Sequence, residues 1–402
     1  MRELGPYNRD LKRMDATLPF QNERAEISQE GMIPAAEYFY DVAQELRNLV
    51  IASGQTLEVV TGNALPTNDQ ITKAVRGMNQ LVENRTVNVP GDWPTLRAAM
   101  SYLSTVTIPN DVLITVAVGN HEETIDDLSL PILIDHPYGD RIQIVGMALQ
   151  GSGFPTPTEV NNSSKTVVEA LLRQRFKSII KVTGQQTAFF QKSGSLRRIA
   201  NIALIGDGSA NQIGFVIGQW QGAIGSGNIR FENIWAFNIG SDGIKALFNS
   251  AIQGTNVGSS HNGQAGFRIT NQSGIQIQGN WIAVRNGTSG IIIRDEGFAD
   301  VRDNAYFNNN TLSGVVSIEG GNFQAKNGAT VLEVKGNGLY GIQTSNASYS
   351  AIPSFTAGGG NASGTDVMTT AAAQAWVGSG HSLTLSPAAN TLGNNNSINM
   401  VY

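Results

Sequence analysis

NIWAFNIGSDG (233–243), NVGSSHNGQAG (256–266), NWIAVRNGTSG (280–290) and NAYFNNNTLSG (304–314) align without a gap. Each opens on Asn and closes on Gly ten positions later, at Gly243, Gly266, Gly290 and Gly314, and the copies step by 23, 24 and 24 residues. A short apolar run follows each glycine: GIKAL, GFRIT, GIIIRD and GVVSI. A period of about 24 residues suits one coil of a parallel β-helix with three short strands per coil. An α-solenoid needs longer repeats with 3.6-residue periodicity, and the framework of a leucine-rich repeat is missing. A degenerate further copy keeps the ten-residue interval between Gly328 and Gly338.

If each repeat is one coil, Asn233, Asn256, Asn280 and Asn304 lie above one another. Their side-chain amides then form a hydrogen-bonded ladder, which is structural rather than catalytic chemistry. The glycines fall where the chain turns sharply into its next strand.

Upstream the pattern changes. Residues 30–52, containing PAAEYFYDVAQELRNLVIA, place Ala36, Phe39, Val42, Ala43, Leu46 and Val50 near one helical face. A second helix is expected after the Thr67-Asn68-Asp69 cap signal. Both are amphipathic and too short to be stable alone, so they need partners. From Thr86, VNVPGDWPTLRAAMSYL reads as a strand, a turn and a helix beginning near Thr95, followed by strand-like runs. The helix at 94–103, VAVGNHEETI at 116–125 and HPYGDRIQIVG at 136–146 together resemble the opening of pectin-lyase-like β-helix proteins, as found in phage spikes. In that family the helix caps the first coil, and the end of such a stack does need a cover for its apolar interior and unpaired edges. From about Thr356 the chain turns Gly/Ala/Ser-rich and ends in SLTLSPAANTLGNNNSINMVY, read as a terminal hairpin similar to the trimerising tips of phage spikes.

The expected organisation is therefore all-β: a helical virion-anchoring segment at 1–85, a right-handed parallel β-helix with its cap at 86–355, and a trimerising tip at 356–402. Charged residues are 15% of the chain and the net charge is −5, leaving no basic stripe for nucleic acid. No 18 apolar residues run together, so no membrane insertion is expected, and the charged opening MRELGPYNRDLKRMD predicts no secretory leader. The absence of cysteine removes disulfides and thiolate metal sites.

Chemistry has few candidates. Asp295 and Glu319 occupy matching positions after Gly290 and Gly314, 24 residues apart. Stacked on neighbouring coils about 4.8 Å apart, they are within the range of a glycosidase carboxylate pair. The competing reading is a solvated, charge-paired turn, since RDEGFADVRDN mixes Arg294 and Arg302 with four acids. Trp235, Trp281 and Tyr306 lie one or two places after their repeat asparagines and form a sugar-stacking surface if they face outward; the alternative is that they fill the core or pack against sister chains. His121, His136, His261 and His381 are scattered without metal-ligand spacing, and no calcium loop, nucleophile elbow or phosphate loop appears. No metal and no cofactor is implied.

The resemblance implies a homotrimeric virion spike or fibre, made in the host cytoplasm. Residues 1–85 would dock on tail or capsid proteins and the β-helix would meet a host surface polysaccharide. Two alternatives stay open on the same fold: a polysaccharide depolymerase, as hydrolase or lyase, and a structural adaptor carrying another receptor-binding protein.

Overall fold

The computed structural model describes residues 81, 83–127, 130–218, 227–325, 330–353, 356–378, 382–388 and 398–401. The helix expected at 30–52 lies outside these residues, as does most of the second, expected after Asp69 through ITKAVRGMNQLVEN (71–84); at its end Leu81, Glu83 and Asn84 are described and are not helical. The chain divides into two compact units, residues 1–83 with 106–111 and residues 84–105 with 112–402. Everything below concerns the second unit.

That unit is a right-handed parallel β-helix of about 11 turns. One face is a ladder of three-residue strands in register, including Ile244–Ala246, Phe267–Ile269, Ile291–Ile293, Val315–Ser317, Ile342–Thr344 and Val367–Thr369. In each, the outer two residues point inward and the middle one outward, as strand alternation requires. Phe267, Ile291, Val315, Ile342 and Val367 thereby form a fully buried column, each contributing about 1.5–3 kcal/mol on leaving water. The apolar runs after the repeat glycines are this face.

The second and third faces begin as one long strand bent at its middle, in Leu196–Gly206, Asn228–Phe237, Ala251–Ser260 and Gly274–Val284. The bend is made by a single left-handed residue, Asn201, Asn233 or Asn256 in the first three, with φ of 58°, 53° and 54°, and Gly279 in the fourth, with φ of 66°. Asparagine tolerates this region far better than a branched residue does. Later coils split the strand in two, as in Phe298–Val301 with Asn304–Tyr306. The expected ladder forms at this corner. Asn233 Nδ2 donates to Asn201 Oδ1 (2.9 Å), Asn256 Nδ2 to Asn233 Oδ1 (3.0 Å), Asn280 N–H to Asn256 Oδ1 (3.0 Å) and Asn304 Nδ2 to Asn280 Oδ1 (3.4 Å).

A second ladder is more deeply buried. Asn262, Asn286, Asn310, Asn337 and Asn361 stack at the corner between the third face and the first. Each Oδ1 from Asn286 onward accepts both the backbone N–H and the Nδ2 of the asparagine one coil earlier, at 2.9–3.2 Å. The repeat glycines stand beside it. A Cβ on Gly290 would lie 2.6 Å from the Gly314 carbonyl oxygen and one on Gly314 2.7 Å from that of Gly341, so close approach of neighbouring coils demands glycine here. The fifth glycine of this column is Gly341, not Gly338. Val315 pairs with Ile342, 27 residues on, because that coil carries extra residues between its second and third faces.

At the N-terminal end, helix α1 (Leu96–Leu103) buries Leu96, Ala99, Met100 and Leu103 against the first strands. Thr95 caps it through its side chain, and the buried Glu123 carboxylate accepts the N–H groups of Leu96 (2.5 Å) and Arg97 (3.1 Å). An anion there suits both the orphan donors and the helix dipole. At the other end no hairpin forms among the described residues. Leu385–Ser386 and Ile398–Val401 pair in parallel with the preceding coil and extend the solenoid instead.

Two helices interrupt the early coils, α2 (Pro157–Asn161) and α3 (Lys165–Arg175). Thr156 and Glu159 make a reciprocal capping box on α2, and Ser164 caps α3. Their apolar side, Val160, Val168, Leu172 and Phe176, lies over the outward surface of the third face at Ala203, Ile205, Trp235, Phe237, Ile282 and Val284. The facing ends of the two helices reach the adjacent corner. Arg285 Nε donates to the Asn161 carbonyl (2.7 Å), Asn309 Nδ2 to Asn161 Oδ1 (2.8 Å), and Lys165 Nζ to Asn238 Oδ1 (2.7 Å).

Candidate functional site

The chain passes from the first face to the second through a tight turn with two successive left-handed residues. These pairs are Phe248–Asn249, Asn271–Gln272, Asp295–Glu296, Glu319–Gly320, Asn346–Ala347 and Ala371–Ala372, with φ between 49° and 80°. For a residue other than glycine this conformation costs on the order of 1 kcal/mol. Stacking holds it in place: Gln272 N–H donates to the Asp295 carbonyl (2.9 Å) and Glu296 N–H to that of Glu319 (3.3 Å). The side chains of the stack consequently project outward in two columns.

They line an open groove of about 520 Å³, formed by Phe248, Asn249, Asn271, Gln272, Asp295, Glu296 and Glu319. Phe248 is 42% exposed. Asp295 and Glu319 stand in one column on adjacent coils, the register that repeat counting anticipates. Arg294 reaches both: its Nε lies 2.9 Å from Asp295 Oδ2 and its Nη2 3.1 Å from Glu319 Oε2. Gln272 Nε2 donates to Glu296 Oε2 (2.7 Å). Both carboxylates of the sequence-predicted pair thus share one guanidinium, which is the arrangement of a charge-paired turn.

The aromatic candidates separate. Trp235 does point away from the coil interior, but α2 and α3 cover it completely. Its ring lies 5.3 Å from Phe154, and its Nε1 donates to Ser260 Oγ (3.1 Å). Trp281 points inward and sits edge-on to Phe267 and Phe307 at 5.3 and 5.4 Å, with no surface exposed. Neither tryptophan meets solvent, so neither forms a sugar-stacking surface. Tyr306 is half-buried at the margin of the same covered cluster. Burial, and then the charge of Glu333, raise its hydroxyl above the usual tyrosine range.

The histidines have structural surroundings. His261 packs beside Phe237 at 5.5 Å and its Nε2 lies 3.2 Å from the Ser163 carbonyl beneath the helical cover. Burial pushes its imidazole down to about 4, with the charges of Arg285 and Lys165 acting in the same direction. His136 is buried and accepts the Tyr138 N–H at Nδ1 (2.9 Å), while His121 lies 4.0 Å from the cap carboxylate of Glu123. His381 lies outside the described residues. Among the described residues no group of three His, Cys, Asp or Glu side chains is placed to hold a metal ion.

Sequence reasoning misses the aromatic residues that do face outward, on the second face beside this groove. The available signal is the alternation of Phe298, Asn322 and Tyr349 with buried neighbours at matching positions of successive coils.

No protein-family model and no curated protein matches this chain. Similar solved structures include the A-modules of the Azotobacter vinelandii mannuronan C-5 epimerases AlgE4 and AlgE6, each 13% identical to this chain over 78% of its length. They are covered to 93% and 89%, with TM-scores of 0.49 and 0.48. ORF18 of Geobacillus virus E2 is 11% identical, over 80% of this chain and 66% of its own, with a TM-score of 0.44. At such values no residue of this chain takes a role from any of them.

Proposed function

We propose that this chain is a spike or fibre protein of a phage-like particle, working as a homotrimer, and that its solenoid holds a host surface polysaccharide without cutting it. The observation that carries this reading is Arg294. A glycosidase needs one carboxyl group free to deliver a proton and another free to attack or to activate water. Here Asp295 and Glu319 are both engaged by the same cation. What remains is an open groove presenting amides and carboxylates at every coil step of about 4.8 Å, comparable to the length of one sugar in an extended polysaccharide. Residues 1–85, where the sequence pattern predicts short amphipathic helices, dock the protein on the tail or capsid, since such helices need a partner surface.

The depolymerase reading keeps one observation in its favour, the in-register stacking of Asp295 on Glu319. A single experiment separates the two. The full chain is applied to an array of bacterial capsular and lipopolysaccharide glycans, and the bound glycans are then incubated with it and assayed for new reducing ends. Retention without release is the expected result. Release that disappears in Asp295→Asn or Glu319→Gln would replace attachment by cleavage, and no retention of any glycan would sink both.

A further inference from the structure

The geometry points to a second carbohydrate platform on the outward surface of the second face, fitted to an extended, uncharged, β-1,4-linked hexose chain lying parallel to the solenoid axis. This rests on the glycan-binding reading above and names the sugar class for a surface outside the Asp295–Glu319 groove.

Phe298, Asn322 and Tyr349 form one outward column on three successive coils, in register. Their neighbours Ala299, Phe323 and Ser350 are buried, so the strand alternation sends these three toward solvent, where each is half-buried. Gly274, one coil earlier in the same column, puts no side chain beside the Phe298 ring. Beside this column runs a polar one. Gln276 Nε2 donates to Asp300 Oδ2 (3.1 Å), which also meets Arg302 Nε (2.6 Å), and Gln324 follows on the next coil. Asn322 stands half-buried between the two aromatic positions, and its amide lies where a sugar bridging the two rings would pass.

Spacing selects the ligand. Phe298 and Tyr349 are two coils apart, about 10 Å along the axis. In an extended β-1,4-linked hexose chain, alternate sugars present the same face, and two sugar lengths match two coil steps. Sugars n and n+2 therefore stack on the two rings while the intervening sugar lies over Asn322. An α-1,4-linked chain curls away from such a straight line. Charge selects too. Glu296 and Glu319 stand on the adjoining turn and the whole chain carries a net charge of −5, which disfavours an anionic polymer.

The test is calorimetric titration of the full chain with cellohexaose, maltohexaose and hexagalacturonate as probes, together with the bacterial glycan array. Cellohexaose alone among the three probes is expected to bind. Phe298→Leu and Tyr349→Leu, which keep apolar bulk and lose the ring face, are expected to weaken it roughly three- to tenfold each, with thermal unfolding unchanged. Equal cellohexaose binding by the wild type and the double leucine variant would overturn the proposal. Retention of array glycans without any cellohexaose binding would overturn it too, leaving the attachment reading intact. Failure to bind every probe and every array glycan would remove both.

Discussion

Replacing Asn310 by alanine tests the buried amide ladder at its middle. Asn310 Oδ1 accepts from Asn286 N–H (3.1 Å) and Asn286 Nδ2 (3.0 Å), while its Nδ2 donates to the Ala283 carbonyl (3.1 Å) and to Asn337 Oδ1 (3.1 Å). Truncation leaves the backbone N–H and one side-chain donor of Asn286 without their acceptor in a region closed to water. Each orphaned buried group costs about 1–3 kcal/mol, and water entering the new space recovers part of it. A net loss of about 3–4 kcal/mol follows. The control is Asn304→Ala at the other ladder, where the bond to Asn280 is 3.4 Å long and the residue is only half-buried, so water substitutes and the loss is about 1 kcal/mol or less. Urea unfolding followed by circular dichroism measures both. Because each coil touches only its neighbours, the damage should also be local, with amide exchange accelerated around Asn286 and Asn337 before the rest of the solenoid. Equal losses in the two variants, or a loss below about 1 kcal/mol for Asn310→Ala, would refute the ladder as a source of stability.

Three further outcomes follow from particular residues. His261 has its folded pKa lowered to about 4 against an ordinary 6.5, so the unfolded chain binds its proton first as pH falls. Stability should therefore decline between about pH 6.5 and pH 4, by at most about 3 kcal/mol, and His261→Gln should flatten that part of a pH–stability curve; an unchanged slope would count against it. Glu123→Gln keeps the shape of the cap but removes its charge from the N-terminus of α1, which should cost about 1–2 kcal/mol in thermal unfolding, with fraying confined to the first coils. Trp235→Ala opens a cavity under the helical cover, costing about 3–5 kcal/mol and releasing α2 and α3 to limited proteolysis; full protease resistance would show that the cover does not depend on that ring.

The coil period was readable because each repeat places an Asn and a Gly at constant separation, and constant residue counts translate directly into register in a stacked fold. The same arithmetic brings Asp295 over Glu319. It fails one coil later, where extra residues move the glycine from the expected Gly338 to Gly341. The buried ladder left a trace, an Asn six places into three of the four repeats, but the first copy has Ile239 there and the pattern is easily passed over. Side-chain direction was partly legible. Trp235 lies two places after its asparagine and Trp281 one place after, so strand alternation alone sends them to opposite sides of the sheet. That the outward one is hidden depends on helices some sixty residues upstream, and their capping box at Thr156 and Glu159 signals a helix but not where it packs. The bridging position of Arg294 depends on the reach of a long side chain, which spacing does not specify.

The two asparagine ladders have opposite polarity. At the bend between the second and third faces, each amide donates toward the N-terminal coil, from Asn256 to Asn233 to Asn201. In the buried ladder each donates toward the C-terminal coil, and the last amide, Asn361, gives its Nδ2 hydrogen to Asp366 Oδ1 at 2.7 Å. Each row is a string of aligned amide dipoles, as the peptide units of an α-helix are. Two strings side by side in opposite senses cancel much of each other's far field, and the row that ends in protein interior has its positive terminus neutralised by a carboxylate. Asp366 thus serves as a terminator. Coils added between Asn262 and Asn361 would extend the string without altering either end, whereas cutting the chain between Asn361 and Asp366 would strand a buried amide facing nothing.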